Sequence, residues 1–97
     1  MADPLDAVSV NYEEDGVVLS RELERSVLSK GAWSTVMFLY QDLNRQTGEF
    51  GPKKVTIRRY QKRDDAYQQR SRFNISSMKQ AQKIVDALNG WIAQEEE

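Results

Sequence analysis

In the second half of the chain the apolar positions first alternate and then change period. Val55, Ile57, Phe73 and Ile75 share one parity across Lys54–Lys62 and Arg70–Ile75, the pattern of two half-buried strands. From Met78 onward the spacing becomes three and four. Met78, Ala81, Ile84, Val85, Leu88, Trp91 and Ile92 then fall on one stripe of an amphipathic helix. Ser77-Met78-Lys79-Gln80 has the spacing of a capping box, which places the helix start at Ser76 or Ser77. Asp64-Asp65 between the two strands reads as a turn, because Asp side chains bond nearby backbone amides. An acid/base role for that pair is the weaker reading.

Upstream, Val36 to Tyr40 is a continuous apolar run of strand-forming residues within Trp33–Leu43, as expected of a central strand. Asn44 to Pro52 holds Asn, Thr, two Gly and Pro, the composition of a loop between antiparallel strands. Val17 to Leu28 is ambiguous. Leu19, Leu23 and Val27 share a strand parity but are also four apart, and Glu and Arg favour a helix. Residues 1–16 are acidic, contain Pro4 and Gly16 and show no sustained period beyond a weak strand signal at Val8–Tyr12, so they read as a mobile leader. The expected organisation is an acidic leader over 1–16, one α+β domain over 17–94 with four strands and a C-terminal helix, and an acidic tail at 95–97.

Composition narrows the function classes. At 97 residues one domain is expected, and at this size dimerisation is a common source of stability. Mean hydropathy is -0.72, and no apolar run is long enough to cross a bilayer. Acid stands where a secretory signal would be basic and then apolar, so an intracellular location is expected: cytoplasm or nucleoid, or the nucleus in a eukaryote. Without Cys or His, thiolate chemistry and the commonest general base and metal ligand are missing. There is no phosphate-cradling glycine loop or metal-ligand cluster. The sequence therefore predicts a binding protein with neither cofactor nor metal.

The net charge of -1 conceals a strong segregation. Lys53 to Arg72 carries eight cations against two carboxylates, a net of +6, and residues 1–24 carry seven acids against one arginine, a net of -6. For a polyanionic partner, distribution matters more than the total. Lys54, Arg58, Tyr60 and Lys62 share the parity opposite the apolar one, and so do Arg70 and Arg72 on the next strand. The sheet is thus expected to turn its apolar side to the helix and its cationic side away from it. Cations would hold phosphates, and aromatic rings among them would stack unpaired bases. Trp33, Phe38, Tyr40, Tyr60 and Tyr67 are the candidate platforms. The alternative is that Phe38 and Tyr40 are core and the cations an ordinary solvated face.

Val55-Thr56-Ile57-Arg58-Arg59-Tyr60, then Lys62 and Asp64, then Phe73-Asn74-Ile75-Ser76 followed by Gln80, Ile84 and Leu88, resembles the positive-cofactor-four family of transcriptional coactivators. The resemblance covers roughly the last 40 residues and lies in the order of elements: an Ile-Arg strand, a charged turn, a basic strand and an Ile-Ser helix start. It implies a curved four-stranded antiparallel sheet with one C-terminal helix, a homodimer, and binding of single-stranded or unwound DNA, RNA being the open variant. Arg58 matches the family's strand arginine, and Arg70 and Arg72 fall in its basic strand. The family often carries an aromatic where Gln61 stands, and the acidic leader replaces a Lys/Ser-rich one. A protein-interaction module that uses the sheet or helix for docking is the alternative function.

Overall fold

A computed structural model describes residues 3–96. Five strands, β1 (Tyr12–Glu14), β2 (Val17–Ser29), β3 (Trp33–Asp42), β4 (Lys54–Arg63) and β5 (Ala66–Ile75), precede one helix, α1 (Met78–Glu96). The strands form a single antiparallel sheet in sequence order. It curls into a half-barrel, so the α+β class holds with five strands where four were expected.

The added strand is β1, joined to β2 by Asp15-Gly16, both at positive φ (51° and 79°). This Asp-Gly pair has the backbone of a two-residue hairpin turn, whose twist matches the flanking strands. Asp64 and Asp65 take the same left-handed conformation (51° and 63°) between β4 and β5, as their turn reading requires. Val17–Leu28 is strand, not helix. Ten residues of β2, Ser20–Ser29, run beside eight of β3, Thr35–Asp42, because the register shifts at Leu23 and again at Leu28. Each bulge bends the strand and increases its twist, which helps the sheet curl.

Register defines two faces. On the inner face Ser34, Val36 and Phe38 of β3 lie beside Tyr60, Arg58 and Thr56 of β4. Five of these six are buried, Phe38 completely. The buried Ser and Thr hydroxyls are satisfied: Ser34 Oγ accepts from Gly31 N at 3.1 Å, and Thr56 Oγ1 donates to Asn74 Oδ1 at 2.7 Å.

What closes this inner face corrects the leader reading. Residues 4–7 form a 3-10 turn capped by Asp3, and Leu5 (3% exposed) and Val10 (6%) join Val36, Phe38 and Tyr60 in the core. Arg25 fastens the segment: its Nη2 donates to Val8 O at 2.8 Å and its Nη1 to Leu5 O at 3.3 Å. Glu22 bridges Arg25 and the Ser9 hydroxyl, and Lys30 pairs with Asp3. The apolar residues of the segment, Leu5, Val8 and Val10, go inward, and the acids around them obscured that signal. Residues 1 and 2 of the expected leader, and Glu97 of the expected tail, lie outside the described residues.

α1 begins as its cap predicts. Gln80 N donates to Ser77 Oγ at 3.1 Å, while the Gln80 side chain reaches back one residue further than expected, accepting from Ser76 N at 2.8 Å. The helix continues through Glu95 to Glu96, so most of the expected tail is helical. It touches β4 and β5 and leaves most of its apolar stripe exposed. Among the described residues, no helix is long and apolar enough to cross a membrane.

Candidate nucleic-acid interface

Alternation along β4 and pairing with its neighbours sort the expected binding residues between the two faces. Arg58, Tyr60, Lys62, Lys54, Arg72, Phe38 and Tyr40 share the inner face. Trp33 and Arg70 do not. Trp33 is opposite Gln61, on the outer parity. Arg70 is displaced by a bulge in β5: the register moves from Arg59–Ser71 to Tyr60–Gln69, and Arg70 Nε donates to Gln61 Oε1 at 3.1 Å. The expectation that Arg70 and Arg72 share a face failed because an extra residue in a strand inverts the parity beyond it.

With residues 3–11 seated, the inner face offers little to a ligand. Phe38 and Tyr60 are core, with no ring face open to a base. Tyr40 is half-buried against the same core. Lys54 Nζ is bound to Asp42 Oδ2 at 3.1 Å, and Arg58 Nη1 to Gln69 Oε1 at 3.0 Å. Arg72, opposite Arg58, and Lys62, near the hairpin tip, are exposed. Two polar atoms, Arg58 Nε and Tyr60 OH, are buried without a geometric partner. Burial raises the Tyr60 phenol above its ordinary 10.0, against the lowering pull of the Arg58 and Arg25 guanidiniums.

The outer face is divided. At the end nearer α1 lie Met37 and Leu39 of β3, Val55 and Ile57 of β4, and Phe73 and Ile75 of β5. Val55, Ile57, Phe73 and Ile75 are the positions whose apolar parity the sequence carried. Toward the β4–β5 turn the same face becomes polar and cationic. Trp33, Gln61 and Arg70 form a row across three strands, and Arg59 stands next to it with its guanidinium over the Trp33 ring, 4.7 Å from the centroid. Arg59, Arg70 and Arg63, which shares their face by alternation, are exposed, and Trp33 is 44% exposed.

Arg59 and Arg63 are the residues that the expected site omitted. Both have the parity of Val55 and Ile57, which had been assigned to the helix side along the whole strand. The visible signal was that this parity stops being apolar after Ile57, passing to Arg59, Gln61 and Arg63.

The row can supply an indole face, a guanidinium already stacked on it and further donors for phosphate oxygens on one open surface. Among the described residues, no group of three or more carboxylates is placed to hold a metal ion. Comparison with known proteins found no matching family model, curated protein or solved structure.

Proposed function

We propose that this chain is a single-stranded DNA-binding protein that acts as a homodimer, binds without catalysing a reaction, and serves transcription or DNA maintenance inside the cell. The observation that carries the reading is the row Trp33–Gln61–Arg70 with Arg59 stacked on Trp33. An exposed ring among cations favours unpaired bases over duplex, because stacking needs a free base face while cations alone bind any polyanion. The order of residues from Val55 to Leu88, which resembles the positive-cofactor-four coactivators, supports the same reading. RNA is the variant ligand, since nothing in the row distinguishes the two sugars.

Two variants test the proposal. Arg59→Ala and Arg70→Ala should each weaken binding of a labelled single-stranded oligonucleotide and each make its salt dependence shallower by about 0.7 in the log–log slope, the loss of one phosphate contact. Unchanged affinity and slope in both would remove the proposed interface.

A further inference from the structure

This chain is too extended to be complete by itself. Its accessible surface is 7239 Å², whereas a compact folded chain of 11.2 kDa exposes about 5700 Å². Its radius of gyration is 15.8 Å, against about 12.5 Å for a compact domain of this length. The excess surface, about 1500 Å², is more than the roughly 800 Å² that each partner contributes to a standard interface.

Two of the exposed apolar surfaces match one another. One is the stripe of α1, where Met78, Val85, Leu88, Trp91 and Ile92 are all exposed, Trp91 by 64%. The other is the apolar half of the outer sheet face, where Phe73 is 53% exposed and Met37, Leu39 and Val55 line an open groove with Glu24 and Ser26. Within one chain these two surfaces stay mostly apart, because α1 meets the sheet only sparsely, at β4 and β5. Patches of this kind on a small domain mark interaction sites.

We infer that the occupant is a second copy of this chain, with α1 of each protomer lying across the apolar half of the other's outer sheet face. The inference rests on the homodimer reading and specifies its interface. A second copy is the fitting partner because the chain carries both halves of the contact, helix stripe and sheet groove, in equal number. A two-fold arrangement covers both at once, as self-complementary dimer interfaces do. The stripe from Met78 to Ile92 is about 21 Å long at 1.5 Å per residue. Strands β3–β5, which carry the apolar residues, are about 10 Å across at their usual spacing, so one helix can cross all three apolar rows. The cationic row lies on the other half of that face and stays open.

Sedimentation of the full chain and two exposed-site variants, Leu88→Asp on the helix and Phe73→Asp on the sheet, tests this, with circular dichroism confirming that each variant is folded. The wild type is expected to be a dimer at about ten micromolar, with each variant alone weakening dimerisation about tenfold or more. An equimolar mixture of the two is expected to recover part of the dimer, because the mixed pair keeps one helix-on-sheet contact intact and confines both substitutions to the other. A wild type that is monomeric at this concentration would overturn both the dimer reading and this interface. A wild-type dimer that Leu88→Asp disrupts and Phe73→Asp does not would overturn helix-on-sheet docking alone and point to helix-on-helix pairing.

Discussion

Arg59 holds its guanidinium 4.7 Å from the centroid of the Trp33 ring, across the β3–β4 pair on the outer face of the sheet. A cation placed over an exposed indole keeps one ring face charged and orders the side chain in advance. Trp33 is in turn paired with Gln61, which accepts from Arg70, so three strands contribute to one surface.

Trp33→Ala is expected to weaken single-strand binding by about tenfold or more, the loss of one stacked base. Fluorescence anisotropy with a labelled pyrimidine oligonucleotide measures it. Trp33→Phe should retain much of the affinity, and a loss as large as that of the alanine variant would show that the ring does not act by stacking.

Gln61 occupies the centre of the row, between Trp33 and Arg70. Gln61→Trp should therefore add a second platform and tighten binding by about tenfold. Weaker binding by this variant would mean that bases do not lie along this row.

The N-terminal segment is part of the fold, and this changes what its removal can test. Leu5→Ala should cost about 2–5 kcal/mol in a urea melt, the range for a buried leucine. A cost near zero would return the segment to the status of a loose leader. Deleting residues 1–16 would remove Leu5, Val10 and β1 along with the acids, so it cannot show whether those acids compete with phosphates for the cationic row. Neutralising Asp6 and Glu13 leaves the core residues in place and is the cleaner experiment: tighter binding at low salt would show competition by the acids.

Tyr60 has a hydroxyl buried without a geometric partner, so Tyr60→Phe should leave stability unchanged or raise it by up to about 1 kcal/mol. A loss larger than that would show that Arg58 bonds the hydroxyl. Because burial raises the folded phenol above its unfolded value, its contribution to stability is complete below about pH 10 and is lost as pH rises through the raised value. In an alkaline absorbance titration of the folded protein Tyr60 should ionise above the ordinary phenol value, a component that Tyr60→Phe removes.

The β4–β5 hairpin, the central strand and the capped helix were legible because each has a strong local signal: parity at Val55 and Ile57, the run from Val36 to Tyr40, and Ser77 with Gln80. β1 was missed because Tyr12-Glu13-Glu14 is short and exposed on an edge, although Asp15-Gly16 is a hairpin turn pair. The burial of Leu5 and Val10 depends on contacts with residues far along the chain, which periodicity does not report. The bulge at Arg70 changed the candidate face most strongly and left no mark in composition. One extra residue moved Arg70 to the side of Trp33 and Arg59, leaving Arg72 opposite Arg58.

The most direct test of the account is a parallel titration of the full chain with a single-stranded oligonucleotide and the duplex of the same sequence, each over a range of salt. The account predicts tighter binding of the single strand at every salt, with a log–log slope of about -2 per protomer if Arg59, Arg63 and Arg70 each neutralise one phosphate. Equal affinity for the two, or binding of neither, would contradict it.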